Sequence, residues 1–146
     1  MLVSCSRKSK RTDIREADQV RPVHTVMLVD DDPNIRKLAK MSLERVGSWK
    51  VQAVASGHEA LELLKTERPD VIILDVMMPG LDGRATLARI KESEFASVPV
   101  ILMTAKVQTA EMDEYVSIGA CGVIIKPFDP LKLPDEILAL LEDCEF

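Results

Sequence analysis

Val26-Met27-Leu28-Val29-Asp30-Asp31-Asp32-Pro33 is the stretch on which the reading of this chain turns. The apolar, β-branched-rich run from Val23 to Val29 has the character of a buried strand, and it stops at three consecutive carboxylates. Like charges held close raise one another's pKa unless something neutralises them. A hard divalent cation does so, and Mg²⁺ takes a few carboxylates together with water and phosphate oxygens. Asp32-Pro33 also has the form of a helix start, with Asp32 at the N-cap and Pro33 at the first helical position. Alone, the triplet fits either a metal site or a solvated, capped turn.

Outward from there, strand-like and helix-like segments alternate. Ile35, Leu38, Ala39, Ser42, Leu43 and Val46 recur at helical spacing, and Gly47 ends that run. Trp49 to Ala55 can form a second strand. Ser56-Gly57-His58-Glu59 has the pattern of a capping box and opens a helix through Ala60, Leu61 and Leu64. Pro69-Asp70 breaks it. Val71-Ile72-Ile73-Leu74 is a third buried strand, and it too ends in an aspartate, Asp75. The turn Pro79-Gly80-Leu81-Asp82-Gly83 precedes a helix through Leu87 and Ile90. Val98 to Met103 forms a fourth strand ending at Thr104, and residues near 109–118 are helical. Cys121 to Ile125 is a fifth strand ending at Lys126. A last helix carries Ile137, Leu138 and Leu141, with either Pro130 or Pro134 as its first-turn proline.

Continuous apolar strands joined by helical crossovers imply an α/β fold, a parallel sheet covered on both faces. Right-handed crossovers put every strand's C-terminal end on one edge, where ligands of such sheets bind. That edge would gather Asp30 and Asp31 from the first strand, Asp75 from the third, Thr104 from the fourth and Lys126 from the fifth. Each is unremarkable singly: a turn carboxylate, a strand-end hydroxyl, a snorkelling lysine. Together they are the set that binds Mg²⁺ and a phosphoryl group.

With these residues in view, the chain resembles the receiver domain of two-component response regulators, the CheY-like family. The matching segments are Val29-Asp30-Asp31-Asp32-Pro33 followed by Arg36, Ile73 to Gly83 around Asp75, Leu102-Met103-Thr104-Ala105, and Lys126-Pro127-Phe128. The resemblance spans about residues 24–143. It implies a flavodoxin-like, doubly wound, five-stranded parallel sheet in the order 2-1-3-4-5, as one domain. It implies Asp75 as phosphoacceptor, Asp31 as direct Mg²⁺ ligand five residues before Arg36, and Asp30 beside it, acting partly through water. The Met77 backbone carbonyl would complete the protein's share of the metal shell. Lys126 would pair with Asp75 and then with the phosphoryl oxygens, and Thr104 would hydrogen-bond the phosphate. Ala105, being small, leaves room for it. The Lys126-Pro127 bond would be cis, which only an X–Pro bond adopts cheaply. Asp32 is left as a helix cap.

One position departs from the family pattern. The residue three before the strand-five lysine, aromatic in many receivers, is Val123 here, so an aromatic swing cannot carry the signal; either Thr104 and the following loop act without it, or the switch is damped. Met77 and Lys106 occupy the two positions that modulate dephosphorylation in the family.

The resemblance implies a regulator phosphorylated by a sensor histidine kinase or a histidine phosphotransfer protein, acting on a downstream target protein. It implies no enzyme activity beyond self-catalysed phosphotransfer and autodephosphorylation, and it admits a homodimer. With the last helix ending near Asp143, little chain is left for an output domain, so a single-domain regulator is the expectation. Residues 1–25 hold six Lys/Arg against three acids, a net +3, and the remainder holds 13 against 21, a net −8. The acidic body argues against direct binding to DNA, and the basic segment 1–23 reads as a solvated tail. No apolar run approaches the roughly 20 residues of a membrane helix. No charged region or apolar h-region precedes Cys5, which argues against a signal peptide. Cys5, Cys121 and Cys144 form no disulfide or metal pattern and read as reduced thiols in a cytoplasmic protein.

Two rival readings stand beside this one. Asp30-x-Asp32 has the form of the nucleophile motif of haloacid-dehalogenase-type phosphatases, but that reading leaves Asp75 idle and finds no later acidic pair. A receiver used as a phosphorylation-independent binding module is kept open by Val123 and opposed by the intact Asp31, Asp75, Thr104 and Lys126.

Overall fold

The computed structural model describes residues 23–105 and 108–144. The basic segment through residue 22, with Cys5, lies outside the described residues, as does Lys106. Strands and helices alternate throughout: β1 (Thr25–Val29), α1 (Pro33–Arg45), β2 (Lys50–Val54), α2 (Gly57–Leu64), β3 (Val71–Asp75), α3 (Gly83–Lys91), β4 (Val100–Thr104), α4 (Thr109–Ser117), β5 (Gly122–Ile125) and α5 (Leu133–Asp143). The five strands pair in parallel in the order β2-β1-β3-β4-β5. This is the doubly wound arrangement expected, with β3 at its centre.

Successive side chains of β1 serve opposite faces. Met27 and Val29 pack with Ala60 and Leu64 of α2, Leu87 and Ile90 of α3, and Tyr115 of α4. Val26 and Leu28 pack with Ala39 and Leu43 of α1 and Leu133 and Ile137 of α5. Both faces are covered, which is why the strand sequences are continuously apolar rather than alternating. Val23, just ahead of β1, is buried in the second of these cores.

The local signals resolve in detail. Asp32 caps α1, its side chain accepting from the Asn34 and Ile35 amides, with Pro33 next. Ser56 accepts from the Glu59 amide at 3.1 Å, while the Glu59 carboxylate reaches back to the Ala55 amide at 3.0 Å. The box thus closes one residue outside the cap. At the end of α1 the residue with positive φ is Ser48, not Gly47. Gly47 serves differently: a Cβ there would lie 2.8 Å from the Leu43 carbonyl oxygen and against the Trp49 ring. The last helix begins at Leu133 with Pro134 in its first turn, which settles the choice between the two prolines. The Lys126-Pro127 bond is cis.

Asp70, read from sequence only as a helix breaker, is a clamp. Its Oδ2 accepts from the His24 amide (2.8 Å), the Thr25 amide (3.0 Å) and the Thr25 hydroxyl (3.2 Å), tying the entrance of β3 to that of β1. The cysteines require a correction. Cys121 and Cys144 are paired, with Cα atoms 5.4 Å apart, inside the span of a disulfide. Because they stand 23 positions apart in sequence, only the packing of α5 beside β5 reveals the pair.

Candidate phosphoryl and metal site at the sheet edge

The C-terminal ends of β1, β3, β4 and β5 deliver the expected residues to one edge. Asp30 follows β1 and is fully buried, and Asp75, the last residue of β3, is 5% exposed. Thr104 ends β4 and is buried as well. Lys126 follows β5, its amide bonded to the Thr104 carbonyl at 2.8 Å. Its ammonium donates to Asp30 Oδ2 at 3.0 Å and to Asp75 Oδ1 at 3.2 Å. Lys126 therefore holds both buried carboxylates, rather than Asp75 alone.

Asp30 is the most heavily engaged member of the triplet. Its Oδ1 accepts from the Asp32 amide at 2.9 Å, and its backbone carbonyl accepts from Arg36 Nη1 at 2.7 Å. Arg36 thus braces the backbone beneath the site. Asp31 is exposed, and Asp32 turns away into its cap. The sheet edge divides three chemically identical neighbours into a buried anchor, an open carboxylate and a helix cap.

Asp75 is positioned from below by Gly83. The Gly83 amide donates to the Val76 carbonyl at 3.0 Å. A Cβ on Gly83 would lie 2.3 Å from the Asp75 carbonyl oxygen and 2.7 Å from Val76 Cα. No side chain fits there, so α3 can start directly against the end of β3. The Met77 amide donates to Asp75 Oδ1 at 3.4 Å, while the Met77 side chain stands 73% exposed.

Burial, then the neighbouring Asp30 charge, push the Asp75 carboxyl up to about 6, against the opposing pull of Lys126. Burial works against the Lys126 charge, but Asp30 and Asp75 outweigh it and raise its pKa. The donors fit a hard cation. Carboxylate oxygens of Asp30, Asp31 and Asp75 all lie within 4.8 Å of one another. Lys126 is shared between two of these carboxylates, and Arg36 is committed to a backbone carbonyl. The all-oxygen set with surplus negative charge is suited to Mg²⁺.

Val123 is half-buried and packs into the core that contains Tyr115. Ala105 is exposed beside Thr104. Sequence reasoning missed the contact between α3 and α4 that flanks this region. Arg84 pairs with Glu114 and stands 5.7 Å from the Tyr115 ring centroid. Nothing in one-dimensional spacing joins residues 84 and 114.

The family model described as the response regulator receiver domain matches residues 26–138. The chain belongs to the response regulator receiver family. It is 40% identical over 116 residues to the probable transcriptional regulator ycf27 of Guillardia theta, covering 80% of this chain and 44% of that one. It is 38% identical over 116 residues to the transcriptional regulatory protein CseB of Streptomyces coelicolor, covering 80% and 48%. The chain spans about half the length of these curated relatives. The chemotaxis response regulator CheY4 of Vibrio cholerae superposes with a TM-score of 0.75 at 29% identity, covering 82% of this chain and 99% of that one. Among the described residues no helix is long and apolar enough to cross a membrane.

Proposed function

We propose that this receiver takes a phosphoryl group onto Asp75 from a phosphohistidine of a sensor kinase or phosphotransfer protein, and that the modification switches a surface read by a target protein. The observation that carries this reading is the meeting of Asp30, Asp31, Asp75 and Lys126 at one edge of the sheet, with Thr104 at the end of the neighbouring strand. Asp75 closes the middle strand and is the natural nucleophile. Asp30, Asp31 and Asp75, with the Met77 backbone carbonyl, would hold Mg²⁺. When bound, that ion supplies charge neutralisation to the transferring oxygens.

The chain's own residues do the rest. Lys126 keeps Asp75 from pairing elsewhere and offers a point charge to the incoming oxygens. Asp30 orients Lys126 through the 3.0 Å contact. Gly83 and the Met77 amide fix the Asp75 backbone and carboxylate. Exposed Ala105 leaves the approach open. Once Asp75 is phosphorylated, the Thr104 hydroxyl donates to the phosphoryl oxygens and draws the loop after β4 inward, biasing the surface that partners read. Val123, half-buried against the core, offers no aromatic swing, so either Thr104 and the following loop act without one or the switch is damped.

The relatives named as transcriptional regulators favour a kinase-driven regulatory role over the phosphatase reading, which would place the nucleophile at Asp30. The buried Asp30 is instead held by Lys126 and the Asp32 amide. Incubation with acetyl phosphate and Mg²⁺, followed by a phosphate-affinity gel, tests the proposal. A retarded band that depends on Mg²⁺ and disappears in Asp75→Asn is expected. An unmodified wild-type protein would favour the phosphorylation-independent binding module.

A further inference from the structure

Away from the sheet edge, Cys121 and Cys144 meet at the opposite end of β5. We propose that they form a reversible thiol–disulfide site, a latch that fastens the C-terminal end of α5 to the start of β5 independently of phosphoryl transfer. Four observations support it. The Cα separation of 5.4 Å permits the bond without backbone movement. Both cysteines are partly exposed and line a cavity of about 310 Å³ with Lys91, Pro99, Val116, Gly119, Ala120 and Asp143. An attacking thiolate can therefore reach the sulfurs, and exposed disulfides are the labile, regulatory ones.

The two halves are also unequally held. Cys121 is fixed, its amide bonded to the Val100 carbonyl at 2.7 Å. Cys144 is the extended residue just beyond α5, its amide bonded to Leu141 at 3.3 Å. One sulfur stays in place while the other can swing away. Finally, the reduced state has a partner waiting: the Leu140 carbonyl oxygen lies 3.6 Å from the Cys121 sulfur, an acceptor for its S–H.

The co-reactant is a low-molecular-weight disulfide. A protein thiolate attacks it, breaking its S–S bond and releasing one thiolate. The second protein thiolate then attacks the mixed disulfide at the protein sulfur and releases the other. The two cysteines are oxidised, the external disulfide is reduced to two thiols, and the two cysteine protons pass to them. The bond closes a covalent ring that contains β5, Lys126, Pro127 and all of α5, so α5 can no longer peel from the sheet.

The test equilibrates the full chain against a series of reduced and oxidised glutathione mixtures, alkylates free thiols and counts them by intact mass. All three cysteines should label at the reducing end; at the oxidising end Cys121 and Cys144 should resist labelling and appear in one cross-linked peptide, while Cys5 is either alkylated or carries one glutathione. Amide exchange in α5 should be roughly tenfold slower in the oxidised form. Cys5→Ser should keep this behaviour, and either Cys144→Ser or Cys121→Ser should abolish it. Persistent labelling of Cys121 and Cys144, pairing through Cys5, a bond that excess reduced glutathione cannot open, or unchanged exchange in α5 would each overturn the proposal.

Discussion

At Asp75, the proposed phosphoacceptor, chemistry and stability pull in opposite directions. Its carboxyl is pushed up to about 6 by burial and by Asp30, against about 3.9 in an unfolded chain. A carboxyl with a raised native pKa stabilises the fold when protonated, and that contribution is lost as pH rises through the window from about 4 to 6. In metal-free buffer at pH 7, Asp75→Asn should therefore be more stable than wild type by about 1–3 kcal/mol. The gap should close below about pH 4, where wild-type Asp75 is neutral in both states. Thermal melts across that range check this; a variant equal to or weaker than wild type at pH 7 would contradict the charge conflict at the site. Added Mg²⁺ should raise the wild-type melting temperature more than that of Asp75→Asn, because only a ligand that prefers the native site stabilises it.

At the level of elements, two joints position the sheet edge. The first is the seat of α3 on the end of β3. Gly83→Ala would force a Cβ to within 2.3 Å of the Asp75 carbonyl oxygen, so backbone must move at a cost of about 1–3 kcal/mol. Denaturant melts should show that loss, and phosphorylation by acetyl phosphate should slow even under conditions where the variant is folded. The second is the Asp70 clamp. Burial works against its charge, but hydrogen bonds from Thr25 and His24 prevail and hold its carboxyl below the usual range. Its contribution is present above about pH 3.9 and is lost as pH falls through the lowered native value. Asp70→Ala should cost about 1–2 kcal/mol at pH 7, reduced by its partial exposure, and much less near pH 2; equal losses at both pH values would argue against a charged clamp. The same elements show how far sequence carries. Apolar runs and caps are local signals, so the strands, the Asp32 and Ser56 caps and the carboxylates at the strand ends were legible. The Asp70 clamp, the Gly83 seat and the Cys121–Cys144 pair depend on which elements pack side by side. Gly47 ends that helical run as expected, and the reason is space beside Leu43 and Trp49 rather than a positive φ.

On the scale of the whole molecule, a sheet buried on both faces holds Asp30, Asp75, Thr104 and Lys126 at one rim, and leaves Asp31 open beside them. Val123, half-buried against the core, offers no aromatic ring to relay chemistry from that rim, and the proposed switch rests on Thr104 instead. All of this depends on Asp75, not Asp30 or Asp31, being the nucleophile. An aspartyl phosphate is an acyl phosphate, and borohydride reduces it to homoserine at the modified position. Treatment with acetyl phosphate and Mg²⁺, borohydride reduction and peptide sequencing by mass spectrometry therefore reads the nucleophile directly. Homoserine at residue 75 alone is the predicted result; homoserine at residue 30 or 31 would contradict the account.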